Sequence, residues 1–213
     1  MNPMNEILPA ILAQDEKTFR QQVKLVETIV PTVHIDIMDG AFVPNTTWND
    51  FAAMAKMDTP LAFEFHLMVE DPEPYIRKIV DMKCARRVLW HVESMGDHRE
   101  LLNMSHGHLK EAGLAIIPKT PLHILDAYAG RMDEILVMGN EPGFSGKPID
   151  PSAIERARQL HSKQPEIILG WDIGVNTNSI PLIRSAGITR FCAASAIFNA
   201  KNPRTAIAQL QSA

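Results

Sequence analysis

What this chain of 213 residues lacks narrows it quickly. Cysteine is scarce: Cys84 and Cys192 stand alone and far apart, so neither a disulfide framework nor a paired cysteine metal spacing is available, and a reducing cytoplasm is the simplest setting. Basic excess is absent. Lys and Arg number 21 against 25 Asp and Glu, and a pI near 6.1 leaves no electrostatic footprint for nucleic acid or an anionic membrane surface. Any anionic ligand must therefore be held locally. No stretch of about 18 apolar residues occurs, and the first residues do not combine a basic segment with an apolar run and a small-residue cleavage site. A soluble, unprocessed protein is expected. The Gly-x-Gly-x-x-Gly fingerprint of dinucleotide sites is missing as well.

What is present is enough apolar material, 46% of residues, to bury a large core, and the chain suits one α/β domain over residues 1–213 better than two small ones. Eight short apolar runs recur: Ile7 to Ala13, Val33 to Met38, Leu61 to Met68, Arg87 to Val92, Leu114 to Pro118, Glu134 to Met138, Ile167 to Asp172 and Arg190 to Ala194. They start roughly 20 to 33 residues apart, the size of a strand plus a helix. Between them lie helical stripes such as Phe19, Val23, Val26 and Val30, or Ala206, Ile207 and Leu210. Asp71-Pro72, Thr120-Pro121, Asp150-Pro151 and Asn202-Pro203 each read as a capping residue before a first-turn proline. Strand, loop and capped helix repeated eight times imply a closed (β/α)8 TIM barrel, since neither the first nor the last run looks like an edge strand. Ser94 to Leu109, with three histidines, reads as solvated loop and helix surface.

In such a barrel the polar residues at the strand ends form the active site. On the second run Val33, Ile35 and Ile37 share one face, while His34, Asp36 and Met38 share the other. His66 ends the third run and Asp172 the seventh. Two imidazoles and two carboxylates converging from three strands make a ligand set, His34, Asp36, His66 and Asp172, for one divalent ion such as zinc, manganese or iron.

His34-Ile35-Asp36-Ile37-Met38-Asp39-Gly40, followed by Phe42-Val43-Pro44-Asn45, resembles the signature of the ribulose-phosphate 3-epimerase family. His66-Leu67-Met68 with Asp71-Pro72 and Tyr75, Gly113 to Leu122, Met138 to Gly146 and Ser195 to Phe198 are similar to its other segments, in order along the chain. The resemblance implies a ribulose-phosphate-binding type of TIM barrel, a bound divalent metal, a sugar phosphate as the small-molecule partner and a homo-oligomer. It also implies epimerisation beside a ketone, with D-ribulose 5-phosphate and D-xylulose 5-phosphate as the default pair. Asp36 and Asp172 would be the two proton carriers on either side of a metal-stabilised enediolate. Met38, Met68 and Met138 match the family's methionines around the substrate, though they would fill core equally well. Gly143, Phe144, Ser145 and Gly146 correspond to its sixth-strand loop, and Gly174, Ala194 and Ser195 to its phosphate turns. Lys147 lies beside the first of these loops and could add a cation.

Several positions depart from the family pattern. Ala10 stands where a serine is usual and Ile117 where an asparagine is; Ile173-Gly174 replaces a glycine pair and Ala194-Ser195 a Gly-Ser. Glycine lets backbone N–H groups approach a phosphate in conformations that β-branched residues resist. These changes leave open two other outcomes: a hexulose 6-phosphate such as allulose 6-phosphate as substrate, or a metal-binding relative without catalysis.

Overall fold

The computed structural model describes residues 5–143 and 146–213. Eight parallel strands close into a barrel in sequence order, with the last pairing onto the first: β1 (Glu6–Ile11), β2 (Thr32–Met38), β3 (Ala62–Met68), β4 (Ala85–His91), β5 (Glu111–Ile116), β6 (Glu134–Met138), β7 (Ile168–Asp172) and β8 (Arg190–Ala193). Each expected run contains or overlaps one of them.

Around the strands lie α1 (Glu16–Val26), α2 (Phe51–Ala55), α3 (Glu73–Ile79), α4 (His98–His106), α5 (Pro151–Lys163), α6 (Ile180–Arg184), α7 (Ser195–Phe198) and α8 (Pro203–Ser212). Asp150 and Asn202 cap their helices as the proline signals suggest, accepting from the backbone N–H groups of Ser152 and Thr205. The other two signals act differently. At α3 the helix begins one residue later, so Pro72 takes the cap position and Asp71 only accepts from Glu73 N. Thr120-Pro121 leads into a 3-10 helix, Leu122–Tyr128, because Pro121 stays extended. Asp15, Asp50 and Asp97 cap α1, α2 and α4 without a proline to announce them.

The alternation of strand side chains divides the interior in two. Val33, Ile35, Ile37, Phe63, Phe65, Trp90 and Trp171 point outward and pack with Phe19, Val23, Ile76 and Ile207 from the helices into the larger core. Leu8, Ala10, Leu89, Ala115, Leu136, Met138, Ile173 and Cys192 fill the barrel itself. His98 belongs to the outer core and not to a solvated surface. It accepts from Trp90 Nε1 at 3.0 Å and donates from Nε2 to the Val92 carbonyl at 3.0 Å, so burial satisfies both ring nitrogens.

Toward the N-terminal ends of the strands the barrel carries charge. Arg87 Nε lies 2.7 Å from Glu64 Oε2, and its other nitrogens reach Glu6, Glu111 and Glu134 at 3.2–3.3 Å. Arg190 pairs with Glu6 at 2.8 Å and Glu111 at 2.7 Å, and also with Glu134. Gly170 makes room for this floor, since a Cβ there would lie 2.2 Å from Glu134 Oε1. Two guanidinium groups face four carboxylates, so one carboxyl is favoured to hold a proton. That group is Glu134, pushed up to about 7 by burial first and by the charge of Glu64 second.

Candidate metal centre

The register of β2 against β3 builds the site. It sets His34 opposite Glu64, Asp36 opposite His66 and Met38 opposite Met68, so that the two polar residues of β2 each meet a polar partner on β3. Asp172 enters from the end of β7, beyond Met138 of β6, with which it is paired. His66 Nδ1 lies 2.9 Å from Asp36 Oδ1, 3.3 Å from His34 Nε2 and 4.0 Å from Asp172 Oδ2, and His34 Nε2 lies 3.2 Å from Asp36 Oδ1. One ligand atom from each of the four residues falls within 4.8 Å of all the others. Ligands held about 2.0–2.2 Å from a common ion stand roughly 3 to 3.5 Å apart, which is the spacing of the three closest atoms.

The surroundings also fit a cation. The other ring nitrogen of His34, Nδ1, pairs with Glu64 Oε1, a contact that fixes the ring and turns Nε2 toward the cluster. Cys192 Sγ lies 3.3 Å from the same Nδ1; burial pushes its thiol far up, and it stays protonated. His66 Nε2 lies 3.1 Å from His91 Nε2, and His91 Nδ1 lies 3.2 Å from Glu93 Oε2. Burial lowers His91 to about 4, so its ring is neutral at pH 7.

The carboxylates are unequal. Asp36 is almost fully buried, and burial alone would raise its pKa, but His34 and His66 outweigh that and hold it well below the usual carboxylate range. Asp172 is pushed up to about 6 by burial first and by the charge of Asp36 second. Its side chain is 14% exposed, against 0–2% for the other three, so it is the member that faces the open space.

That space is a cavity of about 650 Å³ at the C-terminal end of the barrel. Asp36, Met38, Met68, Gly143, Gly146, Lys147, Asp172, Gly174, Ala194 and Ser195, all among the candidates named from the sequence, line it. Met138 does not. It is fully buried among Leu136, Ile173 and Cys192 inside the barrel. Phe144 and Ser145 lie outside the described residues. Lys147 donates from Nζ to the Glu141 carbonyl at 2.9 Å. Asn176, Ser179 and Asn199 line the same cavity and carry no sequence signal that marks them.

The four departures from the family pattern meet at the inner apolar cluster, and two of them, Ile173 and Ala194, also line the cavity. Ala10 and Ile173 are buried in the inner apolar cluster, and Ile117 and Ala194 pack against it. Ile173 has φ 75°, a left-handed conformation that costs a non-glycine residue roughly 1–2 kcal/mol. Its backbone is held at both ends: the N–H donates to Asp172 Oδ1 at 2.7 Å, and the carbonyl accepts from Trp171 Nε1 at 2.8 Å. The strained turn thus fixes one oxygen of Asp172 and leaves the other toward His66.

Glu64 and Cys192 beside His34, and His91 and Glu93 beyond His66, are residues near the cluster that sequence reasoning passes over. Alternation from Arg87 and Leu89 places His91 inward, which is the signal that was available.

Comparison with known proteins places the chain in a family. The sequence profile of the Ribulose-phosphate 3 epimerase family matches residues 6–198. A ribulose-phosphate 3-epimerase of Schizosaccharomyces pombe is 29% identical over 211 residues, covering 97% of this chain and 92% of its own. One from Methanocaldococcus jannaschii is 32% identical over 218 residues, covering 99% and 91%. Among solved structures, orotidine 5'-monophosphate decarboxylase from Sulfolobus solfataricus superposes with a TM-score of 0.69 at 13% identity, covering 98% of this chain and 96% of its own, a likeness of fold alone.

Proposed function

The chain belongs to the ribulose-phosphate 3-epimerase family, and from that premise we propose that it is a metal-dependent 3-epimerase of a ketose phosphate, with D-ribulose 5-phosphate and D-xylulose 5-phosphate as the default pair. The observation that carries this reading is the pair of carboxylates, Asp36 and Asp172, that share a cluster with two imidazoles at the inner end of a cavity. Inverting a carbon next to a ketone requires a base to remove its proton and an acid to return one to the opposite face. Asp36, held ionised by His34 and His66, is suited to accept a proton. Asp172, pushed up to about 6 and more exposed, takes up a proton more readily than Asp36 and is suited to pass one to the substrate. Their roles exchange with the direction of reaction.

His34, His66, Asp36 and Asp172 would hold the divalent ion, which when bound supplies Lewis-acid relief of the negative charge that develops on the substrate oxygens. Met38 and Met68 place apolar thioether surface beside the reacting carbon and keep water from it. Gly174, with φ 77°, and Ser195 lie at the cavity wall where the substrate's phosphate would rest, and Gly146 and Lys147 close the same space from the β6 side. Among the described residues no helix is long and apolar enough to cross a membrane.

Incubating the metal-loaded protein with ribulose 5-phosphate in deuterated water and following the C3 proton by NMR tests the proposal. The signal should vanish as xylulose 5-phosphate appears. Asp36→Asn and Asp172→Asn should each slow that exchange by about 10²–10⁴-fold while the fold persists. Full activity in either variant removes the two-carboxylate assignment. Exchange with a hexulose 6-phosphate alone moves the substrate to the longer sugar, and no exchange with any ketose phosphate despite bound metal removes the catalytic reading.

A further inference from the structure

The histidine ligands of the cluster are oriented in two different ways. His34 pairs directly with a carboxylate, Glu64. On its far side, through Nε2, His66 meets a second imidazole instead, because His91 stands between it and Glu93. Both rings are fully buried, with centroids 5.2 Å apart, and the Phe42 ring covers His91 at 4.6 Å. Solvent is therefore not the partner of any of these ring nitrogens, and the donors along the chain must all point one way.

We infer that His91 and Glu93 are positioning residues that select the tautomer of His66. Glu93 is pinned by both oxygens: Oε1 accepts from the backbone N–H of Ile117 at 3.1 Å, and Oε2 accepts from His91 Nδ1–H at 3.2 Å. With its proton on Nδ1, His91 offers the Nε2 lone pair, which accepts from His66 Nε2–H at 3.1 Å. The remaining nitrogen of His66, Nδ1, is then free of hydrogen and faces His34, Asp36 and Asp172. A bound cation would take the Nδ1 lone pair that otherwise faces Asp36 Oδ1 at 2.9 Å, and with the ion in place the reverse order is the one left with an unrelieved contact. A proton on His66 Nδ1 would require His91 to donate from Nε2, and its bare Nδ1 would then face a carboxylate oxygen, acceptor against acceptor in a dry interior. A residue on β4 and one just beyond it thus decide which nitrogen of a β3 histidine serves as a ligand.

This inference rests on the proposed metal site, and its test keeps the two apart. Zinc and cobalt(II) affinities of the wild-type protein, His91→Leu, His91→Gln and Glu93→Gln are measured by chelator competition, with circular dichroism melts of the metal-free proteins as the control for folding. His91→Leu, which cannot accept from His66, should weaken binding by about 10–100-fold. His91→Gln, whose side-chain carbonyl can accept that proton, should recover most of the loss, and Glu93→Gln should fall between. Long-range ¹H–¹⁵N NMR of the zinc-loaded wild type should show His66 ligated through Nδ1 and protonated at Nε2, a readout that holds even where His91→Leu does not fold. Ligation through Nε2, or equal affinity in the wild type and His91→Leu, overturns the positioning role and leaves the metal site standing. His91→Gln binding no better than a folded His91→Leu overturns it too. A wild-type protein that takes up neither ion overturns the metal site and this inference with it.

Discussion

The two ends of the barrel solve the same electrostatic problem in opposite ways. At the floor, Glu6, Glu64, Glu111 and Glu134 crowd together and are paired from within by Arg87 and Arg190, with Glu134 favoured to take up a proton. At the mouth, Asp36 and Asp172 also crowd together, yet the ion pairs described for them are with His34 and His66 alone. Imidazoles are neutral or charged as conditions dictate, whereas guanidinium groups are always charged. The floor therefore closes on itself, and the mouth leaves its carboxylates to the cation proposed above. A carboxylate cluster in a protein interior is a ligand site when the chain withholds the permanent positive charge, and a structural element when the chain supplies it.

The comparison can be broken most forcefully at the floor. Arg87→Met leaves Glu64, Glu111 and Glu134 short of a permanent partner, and urea denaturation should show a loss of about 3–5 kcal/mol. A loss below 1 kcal/mol would mean that the floor does not depend on its internal cations. At the mouth the expected response is a gain. Zinc at about one hundred times its dissociation constant should stabilise the wild-type protein by about 2.7 kcal/mol, and Asp36→Asn should lose most of that gain. An equal gain in both proteins would place the ion elsewhere.

The smallest effect concerns protons. Glu134 is pushed up to about 7 from a usual 4.5, so the folded state binds its proton more tightly than the unfolded chain does. Its contribution to stability is complete below pH 4.5 and is lost as the pH rises through 7. Between pH 5 and 8 the wild-type protein should therefore lose on the order of 1 kcal/mol that Glu134→Gln does not lose, after allowance for relaxation of the surrounding ion pairs. Parallel urea midpoints for the two proteins across that range would remove Glu134 as the titrating group.

The mouth was far more legible in the sequence than the floor. His34 and Asp36 interrupt an apolar strand at its inward face, and His66 and Asp172 close two others, so a period of two and the position at a strand end were enough to gather them. Arg87, Glu111, Glu134 and Arg190 sit at or near the starts of their strands, where charge ordinarily meets solvent. Only closure of the barrel turns those positions toward one another. His91 falls between these cases. Its inward direction follows from alternation, but its partnership with His66 depends on how two rings from adjacent strands are turned, which no local pattern records. Met138 shows the limit of the same rule, since it ends its strand as Met38 and Met68 do and is nevertheless buried away from the cavity.

Glu64 belongs to both ends, giving one oxygen to Arg87 and the other to His34. Evolutionary drift at the floor is therefore constrained by the mouth. A lineage that replaces Arg87 with an uncharged residue leaves Glu64 bare, and the simplest compensating change, neutralising Glu64, takes the acceptor from His34. Neighbouring substitutions of this kind are not independent. The strand starts, which the cavity does not reach, thus limit which sequences can keep the chemistry at the strand ends.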